Sequence, residues 1–268
     1  MTCVLRLSAL GLGLAVSAAG PAAAGAFNPA AGEGVAILTA GFSDGRDFVD
    51  GAGRKLRAPG YRKFETQAHL EYGVTDWLAA LARPRVAAIH EDGRKGFRGV
   101  GVGAGEFGVQ ARLWRAGGWV ISAQALGRTP AAPGGRFAGW EDRGGVEARL
   151  ALGRSFSAFG SPAYLDAQIG VRTRGGRADE LVAEQTFGLR ATGTLLALAQ
   201  IFTTRSLESV RRRTARGAPE GAVRVKAQLG LVYDVTPFWS LGAAAFRTVL
   251  VRDGARESGA TLSVWRRF

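Results

Sequence analysis

Glu65, Gln67, His69 and Glu71 occupy every second position of one short run, and Phe64, Thr66, Ala68, Leu70 and Tyr72 fill the positions around them. A histidine two residues from a carboxylate is a pairing that general-base chemistry uses. That chemistry also needs a nucleophile in reach, and the chain has no G-x-S-x-G elbow. Its other histidine, His90, stands beside Glu91 and Asp92, again without a nucleophile setting. A histidine in a polar strand is ordinarily a hydrogen-bonded side chain, so no catalytic residue and no enzyme is expected. Gly99-Val100-Gly101-Val102-Gly103 has the glycines of a phosphate loop but neither the following Lys-Ser/Thr nor a helix pattern. The one cysteine, Cys3, precedes the apolar run at the front of the chain. No disulfide, metal site or cofactor is expected.

What the charged residues share is their spacing. Strict period two marks a strand with one apolar and one polar face. Twelve such runs follow one another, near Gly34–Ser43, Tyr61–Val74, Trp77–His90, Val100–Arg115, Trp119–Gly127, Gly144–Leu152, Ala163–Arg174, Glu180–Ala191, Leu195–Thr204, Ala222–Asp234, Trp239–Val251 and Arg256–Phe268. A tilted strand needs about 9–11 residues to cross a bilayer, and these runs are near that length. In a soluble sandwich the apolar face would meet a core. In a transmembrane barrel it meets lipid, and the polar face lines the lumen. Leu195–Thr204 is apolar on both faces, which leaves ten or fourteen strands compatible with the pattern.

The links between runs alternate in length. Short ones follow the even-numbered runs: Thr75-Asp76, Arg115 to Gly118, Thr192 to Thr194 and Asp234 to Phe238, with Gly153–Pro162 the longest of the set. Longer, charged, Gly/Pro-rich links mostly follow the odd-numbered ones: Asp44–Gly60, Glu91–Gly99, Arg128–Arg143, Gly175–Asp179 and Arg205–Gly221. The third of these holds Pro130, Pro133, Gly134 and Gly135, and could fold inward as a constriction or stand out as a loop tip. Aromatic residues gather at the short links: Tyr72 and Trp77, Trp114 and Trp119, Phe156, Phe159 and Tyr164, then Tyr233, Phe238 and Trp239, with Trp265 and Phe268 at the same level. Rings prefer headgroup depth, so an interface girdle explains this bias to one end.

The front of the chain carries Arg6, an apolar run from Leu7 to Val16, and Ala22-Ala23-Ala24. These are the parts of a secretory leader, so residues 1–24 read as a signal peptide and 25–268 as the mature domain. Ala24-Gly25-Ala26 is a second legal cleavage signal, which would leave Phe27 first. The chain ends on an alternating run closed by Phe268. A leader at the front and a terminal aromatic strand together resemble a Gram-negative outer-membrane β-barrel. The resemblance implies the outer membrane as location, its lipid and lipopolysaccharide as surroundings, and the barrel assembly machinery as a partner. Arg266 departs from the apolar alternation that such a terminal strand usually keeps. Glu71-Tyr72-Gly73-Val74-Thr75-Asp76-Trp77 also returns loosely as Val232-Tyr233-Asp234-Val235-Thr236-Pro237-Phe238. This Tyr-x-Val-Thr turn resembles one in a family of outer-membrane barrels linked by name to the meta-pathway of phenol degradation. That resemblance implies a barrel for small organic compounds and carries no catalytic residue.

Alternation also assembles the fold expected here: an all-β, transmembrane antiparallel barrel of about twelve strands, with short periplasmic turns and longer extracellular loops. Inward acids are Glu65, Glu71, Glu106, Glu147, Asp166 and Glu184, and inward bases are Arg112, Arg149, Arg172, Arg190, Arg224 and Lys226. His69 and the glutamines at 67, 110, 168 and 228 add neutral polarity. Two readings follow. The charges pair and fill a narrow lumen, or opposed walls orient a solute in a pore. The net charge of +13 then falls on the outer loops. Arg46, Arg54, Lys55, Arg57, Arg62 and Lys63 mark the first, Arg94, Lys95 and Arg98 the second, and Arg205, Arg211, Arg212, Arg213 and Arg216 the fifth. They suit lipopolysaccharide phosphates or a funnel for anionic solutes. An exported chain does not ordinarily meet nucleic acid, so none is expected as partner. The function expected is passive passage of small polar or organic solutes. A closed barrel that binds lipopolysaccharide or a partner through its loops is the alternative, and a lipid-active enzyme is the third.

Overall fold

The computed structural model describes residues 25–56, 60–92, 98–103, 105–130, 144–175, 178–207 and 222–268. Among them there is no helix. Fifteen strand segments form one sheet: β1 (Gly34–Val49), β2 (Lys55–Leu56), β3 (Tyr61–Gly73), β4 (Leu78–Arg83), β5 (Arg85–Glu91), β6 (Arg98–Val102), β7 (Glu106–Ala116), β8 (Trp119–Arg128), β9 (Gly145–Ala158), β10 (Ser161–Arg172), β11 (Glu180–Arg190), β12 (Leu195–Ser206), β13 (Val223–Asp234), β14 (Trp239–Arg252) and β15 (Gly254–Arg267). β1 pairs with β15 on one side and with β3 on the other, so the sheet closes on itself.

The closed sheet has twelve staves, all antiparallel. β4 and β5 are one stave broken at Pro84, and β6 and β7 together form its neighbour. Proline has no N–H to give a ladder, but its carbonyl still accepts from Ala68 at 3.1 Å. β2 is a two-residue flap on the end of β1. Among the described residues closure pairs each of the twelve staves with a neighbour on both sides, the condition for backbone in lipid.

The barrel is inside out relative to a soluble protein. Leu229 and Leu262 are 69% and 68% exposed on the outer face, while Glu71, Glu147 and Asp166 are 2% exposed within. Period two within each strand drives this, because neighbours in sequence must face opposite media. Three of the short turns share one chemistry. Thr75 Oγ1 accepts from Leu78 N at 3.0 Å, Thr236 Oγ1 from Trp239 N at 2.9 Å, and Thr192 Oγ1 from Leu195 N at 3.0 Å. The repeated Tyr-x-Val-Thr is thus a turn that hydrogen-bonds itself shut.

Three expectations need correction. The link over Gly153–Pro162 is no loop: β9 runs to Ala158 and turns on Phe159 and Gly160, both at positive φ. Tyr164 and Trp265 do not join the girdle but point inward and are buried. Lys63, expected in or beside the first loop as part of its basic surface, lies in β3, faces the lumen and pairs with Glu65. The leader, residues 1–24, lies outside the described residues.

Candidate functional site

The lumen has two unlike halves. One, beneath β7 to β11, is filled by side chains. Glu147 accepts from Arg149 and, at 2.5 Å, from Arg172. Arg149 also meets Glu184 at 2.8 Å, and Arg172 meets Glu106 and Glu180. Arg83 donates to Glu106 and, through Nε, to His69 Nδ1 at 3.0 Å. His69 Nε2 lies 2.9 Å from Glu71 Oε1, so both ring nitrogens are engaged. A glutamine ladder runs from Gln110 through Gln124 to Gln168 and ends on Asp166. Most of these pairs join different staves, and the mutual pairing offsets the cost of burying the charges.

The floor of this half is the chain's own front end. Residues 25–33 enter at the short-turn end as a strap. Asn28 and Gln110 exchange hydrogen bonds, Ser122 Oγ donates to the Ala26 carbonyl at 2.5 Å, and the Ala26 N–H donates to Asp166 Oδ2 at 2.5 Å. Phe27 packs edge-on against Tyr164, with ring centroids 6.2 Å apart. Its ring joins two buried apolar clusters: Val35, Ile37, Tyr164, Leu196, Val232 and Trp265 on one side, Ala26, Val120 and Ala151 on the other. Glycines make the room. A Cβ at Gly153 would stand 2.7 Å from the Phe27 ring, and one at Gly188 would run into Tyr164. The short-turn end of the lumen is therefore an apolar constriction.

The other half, against β1, β3 and β11 to β15, holds a cavity of about 550 Å³ that extends from Trp265 to Lys63 and Arg224 on the long-loop side. Ile37, Leu198 and Trp265 lie at its floor. Thr39, Gln67, Gln200 and Gln228 follow one step up, then Phe202, Phe246, Glu65 and Lys226, then Lys63 and Arg224. Arg85 reaches in from β5 toward Gln67. Lys226 pairs with Glu257 and sits 5.2 Å from the Phe246 ring centroid. Arg224 makes no ion pair among the described residues.

All the residues assigned to the lumen from alternation point inward. Glu65, His69, Arg224 and Lys226 line the cavity. Glu71, Arg149 and Arg172 belong to the filled half, and Arg190 pairs at 2.5 Å with Asp234 near the short turns. Arg112 stands at a bulge in β7 and makes no ion pair among the described residues. Asp234, Glu180, Glu257, Arg83, Arg85 and Arg128 are lumenal residues that the alternating runs did not single out. Outside, Tyr72, Trp77, Trp114, Tyr233, Trp239 and Phe268 are exposed around the short-turn end, with Trp119 half-buried beside them. Arg266, the residue out of pattern, stacks over Trp239 and Phe238 at 5.1 and 5.3 Å, which suits a cation at headgroup depth. In the first loop Arg54 pairs with Asp50 and Lys55 with Asp47. Hydrogen bonding, first from the Arg54 backbone N–H, holds the Asp50 carboxyl below its usual range. Arg57, Arg94, Lys95, Arg211, Arg212, Arg213 and Arg216 lie outside the described residues.

An outer membrane channel from Pseudomonas putida F1 shares this architecture with a TM-score of 0.67 at 13% identity, over 91% of this chain and 98% of that one. The NanC porin follows at 0.53 and 9% identity, over 85% and 98%. The translocator domain of the autotransporter NalP from Neisseria meningitidis gives 0.50 and 12%, over 88% of each. At these identities the likeness establishes the fold, a closed outer-membrane β-barrel. No family model and no curated protein matches the sequence. The resemblance to the phenol-linked barrels therefore rests on the two turns alone and is unconfirmed. A closed barrel of this fold with an apolar outer band belongs in an outer membrane.

Proposed function

We propose that the barrel passes small organic anions across the outer membrane, taking them from the loop side into the cavity. One observation carries this. Lys63, Arg85, Arg224 and Lys226 face a single lining acid, Glu65, above a floor of Ile37, Leu198 and Trp265. A carboxylate fits the upper level, and an apolar or aromatic body fits beneath it. The Pseudomonas putida neighbour is an outer membrane channel and NanC is a porin, and passage is carried from them to this chain as part of the proposal. The apolar constriction makes the resting barrel a narrow path. No catalysis is assigned, because His69 is held between Arg83 and Glu71 with no nucleophile beside it. Assembly machinery reading the strand that ends at Phe268, and lipopolysaccharide phosphates on the basic loops, complete the proposed company of the protein.

The test is a planar bilayer. The refolded mature protein should give small discrete steps whose reversal potential in a salt gradient favours anions. Benzoate on the loop side should interrupt chloride current more than acetate at equal concentration. Arg224→Glu adds an acid where the cavity has its one cation without an ion-pair partner among the described residues, and should lower the anion-to-cation permeability ratio several-fold. Folded protein that never conducts would instead support the closed barrel, with the loops as its working surface.

A further inference from the structure

Among the described residues, Asp166 is a carboxylate without a counter-charge. It projects from β10 into the lumen and is 2% exposed. It accepts two neutral hydrogen bonds, from the Ala26 N–H at 2.5 Å and the Gln168 side chain at 2.9 Å. Every other carboxylate that the staves point into the lumen has a basic side chain or histidine within ion-pair distance, among the described residues. Glu106 has Arg83, Arg128 and Arg172, for example, and Glu257 has Lys226. A buried, unbalanced carboxylate is costly, so this one calls for a cation.

The strap brings a candidate to the place. A Cβ at Gly25 would overlap the Asp166 carboxylate, so the Gly25 nitrogen, two bonds from any such Cβ, lies within about 5 Å of the same oxygens. Inside an intact chain that nitrogen is an uncharged amide. After hydrolysis of the Ala24–Gly25 bond it is an ammonium. Water adds across the peptide bond: the Ala24 carbonyl carbon takes the hydroxyl, and the Gly25 nitrogen leaves as an amine that is protonated near neutral pH. The sequence also allows cleavage two residues later. That cut would remove the Ala26 N–H that Asp166 accepts and the Ala26 carbonyl that Ser122 binds.

We infer that the leader is cut between Ala24 and Gly25, and that the new terminal ammonium is the counter-ion of Asp166, anchoring the strap in the lumen. Processing and plugging are then one event: the cut creates the charge that holds the plug. Glycine suits residue 25, because a side chain there would have no room against the Asp166 carboxylate. The inference holds whether or not the barrel conducts.

The test uses protein extracted from the outer membrane of cells expressing the full chain. Its intact mass should correspond to a start at Gly25; a start at Phe27, or a retained leader, overturns the inference. An amine-acylating reagent then reads the anchor. The tryptic peptide 25–46 contains no lysine, so acylation of that peptide reports the terminal amine alone. The amine should react at least about ten-fold more slowly in the folded barrel than in the urea-unfolded chain, since an ion-paired ammonium gives up its proton reluctantly. Equal rates in the two states overturn the anchor. Asp166→Asn should bring the folded rate close to the unfolded one, and unchanged protection in that variant would overturn Asp166 as its partner. If the variant does not fold, the wild-type comparison still decides.

Discussion

Phe27→Ala is expected to raise single-channel conductance several-fold while the protein still folds as a heat-modifiable barrel. The ring is the piece that joins two apolar clusters across the short-turn end of the lumen, edge-on to Tyr164. A hydrophobic constriction blocks ions by excluding water, and it wets once it widens. Removing one ring from its centre therefore changes current far more than it changes the wall. Staves and ladder are untouched, because Phe27 belongs to the strap and not to the sheet. Truncating a buried Phe costs about 3–5 kcal/mol in a dry core. Water can enter from the cavity side here, so the cost should fall at or below the lower end. Recordings of wild type and variant under the same salt decide it. Unchanged conductance would place the narrowest point elsewhere, and a fall would mean that the strap props the path open.

The expectations that held were those that follow from alternation within one strand. Glu65, Gln67, His69 and Glu71 share a face in the barrel as they do in the sequence, because period two is fixed by the backbone alone. What failed set position along the chain above parity. Tyr164 lies in the run Ala163–Arg174 two residues from the inward Asp166, so alternation already turned it to the lumen, and its place beside a short link sent it to the girdle instead. Trp265 failed for a different reason: an aromatic near a stave end fits headgroups or lumen equally well. Pairing was legible only within a strand, as between His69 and Glu71, since closure brings other partners together from distant staves. Arg172 meets Glu106 across 66 positions. The strap left the faintest signal. Gly25-Ala26-Phe27-Asn28 has no alternation and reads as a linker. Its trace is on the other side, in glycines at inward positions such as Gly153, which leave a ring-sized gap in a wall otherwise lined by side chains.

Glu147→Gln should give the largest loss of stability of any single lumenal charge removal. Glu147 is fully buried and accepts from two guanidinium groups, those of Arg149 and Arg172. Neutralising it leaves two buried cations that share Glu106, Glu180 and Glu184 at longer or partly solvated contacts. Breaking a buried pair from one side costs about 3–5 kcal/mol, because the partner stays charged and buried. Glu65→Gln is the matched control. Glu65 lies on the cavity, with Lys63 and Arg85 at 3.3 and 3.7 Å, and water reaches it. Its loss should cost about 1 kcal/mol or less. Urea unfolding of the lipid-reconstituted proteins, followed by gel mobility without boiling, ranks the two. The double variant Glu147→Gln/Arg172→Gln should recover part of the loss by removing one orphaned cation. Equal midpoints for Glu147→Gln and Glu65→Gln would mean that water reaches both halves alike. The division of the lumen into a filled wall and an open cavity would then fall, and with it the reason for routing solute along β1, β3 and β11 to β15.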